Sequence, residues 1–275
     1  MKNIDKKVVR DFGTEWTEFD QKGLSKKESL KEFNRYFNIF PLDELNDKKV
    51  GADFGCGTGR WAKHIAPKVK KLYCIDPSSS LEVAKKNLSE FQNIVFSKSS
   101  VSNNPIEDNS LDFAYCLGVI HHIPDPKKGL RDCVLKIKKS SPFLLYLYYN
   151  LDNKSNTYKV IWKISDLTRR LICRFPPKIK IALTNLIAFF IYYPFARTAL
   201  ILEKLKVNGD SWPLYHYRDK SFYTMRTDSL DRFGTSLEHR FSKEEIEEMM
   251  TDCGLNNIRF YEGPPFWCAI GYRVS

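Results

Sequence analysis

Short apolar runs alternate with amphipathic stretches through the middle of the chain. Runs near residues 49–53, 71–75, 93–97, 111–117 and 142–149 have strand length and end in Gly, Pro, Asn, Asp or Ser. Helical spacing fills the gaps near 59–66, 79–90 and 126–138. Ser79 with Glu82 reads as a capping box, and Asp125-Pro126 as a cap followed by proline at the first helical position. This alternation predicts an α/β fold with a doubly wound, parallel sheet. Ser242-Lys243-Glu244-Glu245 opens a late helix that ends at Gly254, and strands near 256–262 and 267–273 would close the sheet.

Outside this frame the pattern changes. Residues 1–47 read as an N-terminal helical arm. Within it Ser25-Lys26-Lys27-Glu28 caps a helix to about Phe37 with an apolar stripe of Leu30, Phe33, Tyr36 and Phe37. Residues 155–235 begin with a basic stretch from Lys159 to Lys180 and continue into an apolar run, 181–195. A bilayer span needs ~20 apolar residues. This run is shorter and holds Asn185 and Pro194, which predicts a helical insertion over the core. A membrane-contacting or lipid-binding cap through 155–206 is the alternative. Residues 211–235 are dense in aromatic and charged groups and read as a loop returning to the mouth of a site. The expected organisation is therefore an arm or lid (1–47), a core (48–154), a helical insertion or substrate cap (155–235), and a C-terminal helix and strand hairpin completing the core (236–275).

The chemistry concentrates at Val50-Gly51-Ala52-Asp53-Phe54-Gly55-Cys56-Gly57-Thr58-Gly59-Arg60. Glycine permits tight turns and close approach of a ligand, and a helix start adds unpaired N–H groups and a positive dipole end. An acid, Asp76, ends the next strand, where such units take ribose hydroxyls. The Asp53-x-Gly55-x-Gly57-x-Gly59 pattern resembles motif I of the class I S-adenosylmethionine (SAM) dependent methyltransferases. Ile106 to Tyr115 with Leu117-Gly118-Val119-Ile120-His121-His122-Ile123-Pro124-Asp125-Pro126 is similar to the fourth-strand region of the type 11 small-molecule members. The resemblance covers roughly residues 48–150.

That resemblance implies a Rossmann-like seven-stranded sheet with an antiparallel last strand, and SAM as cofactor. It places Asp53, Gly55, Cys56, Gly57, Gly59 and Arg60 at the methionine end, and Asp76, Pro77 and Ser78 at the ribose. Ser100 and Val101 fall at the adenine, Ser100 where relatives carry an acid, and Leu117 and Gly118 lie beneath the cofactor. His121, His122 and Tyr146 are the candidate catalytic groups, since a neutral imidazole can take a proton from a hydroxyl acceptor. Glu15, Trp16, Tyr148, His216, Tyr217 and Arg218 are candidate acceptor contacts, and the aromatic arm around Phe12 to Phe19 resembles the lids of related enzymes.

The expected reaction is methyl transfer to a small-molecule or lipid-linked acceptor, first of all a hydroxyl oxygen of a saccharide or glycan precursor. A quinone, polyketide or fatty acceptor fits the apolar insertion nearly as well. Seven cysteines with no CxxC pair predict reduced thiols and no metal site. Residues 1–7 have no apolar core, so no signal peptide is expected. Together these point to the cytoplasm, with peripheral contact at the inner membrane face left open. The net charge of +11 reads mainly as a lysine-rich solvated surface; it also motivates RNA as an alternative acceptor, although no RNA-binding module is evident. Gly57-Thr58-Gly59-Arg60-Trp61-Ala62 also fits a dinucleotide fingerprint, which keeps an NAD-dependent oxidoreductase open. A non-catalytic membrane- or partner-binding protein is the reading from another class.

Overall fold

Each expected apolar run becomes a strand, trimmed at its ends. In the computed structural model, which describes residues 3–152, 156–207 and 212–274, seven strands form one sheet. They are β1 (Val50–Phe54), β2 (Lys71–Ile75), β3 (Ile94–Ser97), β4 (Phe113–Leu117), β5 (Pro142–Tyr146), β6 (Leu255–Tyr261) and β7 (Cys268–Arg273). Their order is β3-β2-β1-β4-β5-β7-β6. Strands β1 to β5 pair in parallel, while β7 runs antiparallel to both β5 and β6. This is the Rossmann-like arrangement expected, with strand order reversing beside β1. The central strands are buried on both faces, which is why β1 and β4 read as near-continuous apolar runs. The expected boundary between residues 154 and 155, and Ser211 at the head of the aromatic segment, lie outside the described residues.

The chain divides into two compact units. The first comprises residues 1–20, 30–154 and 237–275 and contains the sheet. It also holds α1 (Lys6–Glu18), α3 (Ala62–Ile65), α4 (Ser80–Asn87), α5 (Pro126–Val134) and α10 (Lys243–Asp252). Asp125 caps α5 by accepting the Lys128 N–H, and Ser242 with Glu245 forms the reciprocal box expected for α10. The box expected at Ser79 and Glu82 does not form. Ser79 has helical backbone angles and makes no cap bond, and Glu82 instead pairs with Lys85 at 2.9 Å. The helix expected at 59–66 shortens to α3 followed by a 3-10 turn over Ala66–Lys68, because Pro67 interrupts the hydrogen-bond ladder.

Helix α2 (Lys26–Tyr36) spans the division, since residues 21–29 belong to the second unit and residue 30 onward to the first. Ser25 accepts the Glu28 N–H at 3.1 Å, but the Glu28 carboxylate turns to the Ser221 N–H and the Thr224 hydroxyl instead of closing the box. Phe33 and Phe37 are buried as expected; Leu30, placed in the same stripe from the sequence, is 49% exposed.

The second unit comprises residues 21–29 and 155–236 and is helical. It contains α6 (Asn156–Ile172), α7 (Pro177–Ile187), α8 (Tyr193–Lys204) and α9 (Phe222–Gly234), with a π-helical turn over Ala188–Tyr192 joining α7 to α8. Two expectations are corrected. The apolar run is not short: Pro177–Lys204 is one helical stretch of 28 residues, long and apolar enough to cross a bilayer by length and composition. Asn185 does not break it, because its side chain accepts a bond from Arg226 at 2.9 Å. Pro194 does not break it either. The wide turn hands the Tyr193 N–H to the Ala188 carbonyl just before the residue that has no N–H to give. The second correction concerns residues 211–235, expected as a loop. Most of them form α9, capped by the Ser221 hydroxyl, with Met225, Leu230 and Phe233 buried. Polar residues also serve this packing, as when Ser229 donates to the Thr184 carbonyl and Lys180 to the Gly234 carbonyl.

Candidate active site at the strand ends

The glycine turn hangs from the end of β2. Gly55 and Cys56 N–H groups both donate to the Ile75 carbonyl, at 2.7 and 3.1 Å. All three loop glycines have positive φ, between 53° and 79°. Two of them are also sterically locked. A Cβ on Gly55 would stand 2.3 Å from a Val119 methyl, and one on Gly59 would stand 2.5 Å from a Leu88 methyl. Gly57 differs, because its nearest neighbour would be the Trp16 indole at 3.6 Å. Gly55→Ala is therefore expected to destabilise the fold by about 3 kcal/mol, combining left-handed backbone strain with overpacking. Gly57→Ala should cost about 1–2 kcal/mol, from backbone strain alone. Urea midpoints that coincide for the two variants would contradict this ranking.

Asp76 is drawn into the same turn. Its Oδ2 accepts the Gly57 N–H at 3.0 Å, and its Oδ1 accepts both the N–H and the hydroxyl of Ser78, at 2.8 and 2.7 Å. Ser78 Oγ also lies 2.6 Å from Ser80 Oγ. A carboxylate has about four lone-pair sites. Oδ2 therefore keeps capacity for one more donor, and Oδ1 gains one if the Ser78 hydroxyl turns to Ser80. Pro77 lies between these partners, half-buried.

Asp53 ends β1 next to this turn and is almost fully buried. Burial pushes its carboxyl well above the usual carboxylate range; the Tyr115 hydroxyl beside it pulls the other way, and Asp76 pushes it further up. Its Oδ2 has no hydrogen-bond partner among the described residues. A buried carboxylate oxygen without a donor is costly. An ammonium group would satisfy it, so this site fits a ligand carrying a cationic amine. Arg60 lies flat over Trp61, 4.0 Å from the ring centroid. Cys56 is buried, and burial with the neighbouring Cys74 thiol raises its pKa well above normal.

Strand β4 supplies the floor. Leu117 is buried, and Gly118, also at positive φ, donates to the Tyr146 carbonyl at 3.0 Å. The next turn carries His121 and His122, both buried. His122 Nδ1 lies 2.7 Å from the Leu237 carbonyl, so Nδ1 carries the proton and donates. Its Nε2 is left as a buried lone pair with no partner. Burial holds the His122 pKa down to about 4, with Arg240 and His239 adding to the effect against the Leu237 bond and Glu238. His121 stacks on Tyr148 at 4.0 Å, and burial drives its pKa well below normal. Tyr146 and Tyr148 lie with ring centroids 6.1 Å apart, while Tyr149 packs elsewhere, against Phe266. That is the alternation expected of a strand end. Past β3, Val101 is buried, and Ser100 bridges to Asn103.

The arm lies over this turn. Gly13 of α1 sits so close to Ser79 that a Cβ would meet its hydroxyl at 2.5 Å. Phe12 packs on His122 at 4.9 Å, Trp16 covers Gly57, and Glu15 is buried. Two asparagines that the sequence did not single out hold the arm at each end. Asn3 exchanges hydrogen bonds with the Asp125 backbone at 2.8 and 2.9 Å. Asn87 donates to both the Asp20 and the Thr58 carbonyls, tying the end of the arm to the glycine turn. Tyr36 was read only as part of an apolar stripe, yet its ring meets Trp61 and Tyr146 at 4.7 and 5.1 Å. His216, Tyr217 and Arg218 belong to the second unit. There Arg218 pairs with Glu203 at 2.9 Å, and the Tyr217 ring meets Tyr192 at 5.1 Å.

Residues 52–145 match the family described as a methyltransferase domain. Among curated proteins, the chain is 28% identical over 117 residues to malonyl-[acyl-carrier protein] O-methyltransferase 2 of Coxiella burnetii, covering 42% of this chain and 45% of that protein. It is 33% identical over 101 residues to a tRNA U34 carboxymethyltransferase of Campylobacter curvus, covering 35% of this chain and 33% of that one. The matches thus span less than half the length of these relatives. Among solved structures, the YcgJ protein of Bacillus subtilis superposes with a TM-score of 0.52 at 16% identity, over 83% of this chain and 70% of that one. That likeness is one of fold.

Proposed function

We propose, from the match of residues 52–145 to a methyltransferase domain, that the chain is a class I, SAM-dependent methyltransferase acting on a hydroxyl oxygen of a small-molecule or lipid-linked acceptor in the cytoplasm. The observation that carries the reading is the pairing of Asp53 with Asp76 around one glycine turn. One carboxylate has an unsatisfied buried oxygen, and the other is pinned by the loop's own N–H groups. When bound, SAM supplies a methyl group already activated on a sulfonium. The chain's part is to bind, align and manage a proton. Asp53 takes the ammonium, and Arg60, stacked on Trp61, faces the carboxylate. Asp76 takes ribose hydroxyls, while Ser100 and Val101 meet the adenine edge. Leu117 and Gly118 form the floor, and the α1 arm excludes water. Alignment alone can supply up to ~7–11 kcal/mol of the barrier.

His122 is the proton acceptor in this reading, because its tautomer leaves Nε2 unprotonated and without a partner among the described residues. His121 and Tyr148 hold the ring stack next to it. A saccharide or glycan-precursor hydroxyl is the leading acceptor, supported by the aromatic faces of Tyr146 and Tyr148. A carrier-borne fatty or polyketide acceptor is the second reading, favoured by the O-methyltransferase name of the Coxiella relative. Isothermal calorimetry with SAM, S-adenosylhomocysteine and NAD tests the cofactor assignment. Heat with the first two and none with NAD is expected, and the reverse would establish the oxidoreductase alternative. Incubating metabolite extract with methyl-labelled SAM then identifies the acceptor.

A further inference from the structure

The second unit exposes a large apolar surface on its long helices. On α6, Val160, Ile164, Leu167 and Leu171 recur at four, three and four residues, which is one helical stripe, and Leu167 is 71% exposed. On the Pro177–Lys204 run, Lys180, Thr184, Ala188, Tyr192, Ala196 and Ala199 form the buried face. Away from that face the run exposes Leu186, Phe189 and Phe190 at 53%, 56% and 67%, with Ile191 and Ile201 also exposed. Exposed large apolar side chains recurring along helices in this way mark an interaction site.

Charge says what covers it. Between Tyr158 and Lys204 the sequence holds nine Lys or Arg and two acids, Glu203, which pairs with Arg218, and Asp166. Asp166 is buried and tied to Arg169 and Arg170, both at 2.8 Å. Lys163, Arg170, Arg174 and Lys178 stand exposed along and beyond the α6 stripe. Two copies of so cationic a surface would repel each other, whereas a layer of anionic headgroups over hydrocarbon complements both its charge and its apolar residues. The polar bonds from Lys180, Thr184 and Asn185 to α9 keep the other side of the long helix packed on protein, so the run lies on the bilayer and does not cross it.

We infer that the exposed face of α6 and of the Pro177–Lys204 run is a docking surface for anionic phospholipid bilayers. This inference stands apart from the proposed reaction. Its test is co-sedimentation of the full chain with phosphatidylcholine vesicles, with and without phosphatidylglycerol. Binding only to the anionic vesicles, released by high salt, is expected. The exposed pair Ile164→Asp with Leu167→Asp should lower that binding by roughly tenfold or more, and Arg174→Glu with Lys178→Glu should do likewise. Thermal melts and SAM calorimetry on the same variants should match the parent, which separates loss of docking from misfolding and from failure of the cofactor assignment. Equal binding to both vesicle types or by all variants would overturn the inference. So would self-association abolished by the Asp pair in the absence of vesicle binding, or membrane association that resists both high salt and alkaline carbonate.

Discussion

Asp76→Ala is expected to lose at least about a hundredfold in SAM affinity while remaining folded. The reason lies in what the carboxylate holds. Its ribose contacts are charge-assisted hydrogen bonds worth about 1.5–3 kcal/mol each, and one or two of them account for the loss. The same group also organises the Gly57 and Ser78 amides, so its removal loosens the turn from within. The sheet should survive, because Gly55 and Cys56 remain bonded to the Ile75 carbonyl, and β1 and β2 stay paired. Calorimetry beside a circular-dichroism melt checks both halves of the expectation. Undiminished SAM affinity in this variant would remove Asp76 from the site.

The second large effect concerns His122. His122→Gln is expected to lower kcat by about 10²–10⁴, the usual contribution of a positioned base, with SAM affinity unchanged. Wild-type activity should show no limb from this group near pH 6.5. Burial holds the imidazole neutral down to about 4, so protonation removes the base only there. Stability follows the same proton. A buried histidine kept neutral in the fold ionises more readily in the unfolded chain, so its contribution is present above the unfolded value near 6.5 and drains away as pH falls towards 4. The shift amounts to roughly 3 kcal/mol. The Gln variant should therefore lose less stability than the parent between those two values. A parent and variant with superimposable acid unfolding curves would contradict the buried, neutral assignment.

The glycine turn and the sheet were legible because their cause is local. Positive φ demands glycine at residues 55, 57 and 59, and parallel strands buried on both faces demand apolar runs. The capping boxes show where local reasoning stops. Ser242 and Glu245 form theirs because nothing competes. Ser79 and Glu82 do not, because Ser79 takes helical backbone angles, Ser78 is the serine whose oxygen accepts the Ser80 N–H, and Glu82 pairs with Lys85. Asn3 and Asn87 were invisible for a related reason: each bonds backbone carbonyls far away in sequence, and no short pattern encodes that. Helix α9 was missed because part of its buried face is Thr227 and Ser229, small polar groups that pack beside a helix instead of marking an apolar stripe. The tautomer of His122 depends on a carbonyl at Leu237, which only the folded chain brings near.

The wide turn at Ala188–Tyr192 does more than accommodate a proline. Four-residue spacing drifts around an ordinary helix by about 40° per step, so a seam from Lys180 to Tyr192 would soon wind out of alignment. A turn that closes on the fifth residue absorbs that drift and resets the rotational phase before Ala196 and Ala199. It therefore acts as a clutch between the two halves of the rod. Straightening it to an ordinary helix would rotate everything downstream and carry Ala196 and Ala199 off the buried face. The identity of the outward side chains beyond Tyr192 is thus set by five residues of backbone geometry and not by the downstream sequence alone.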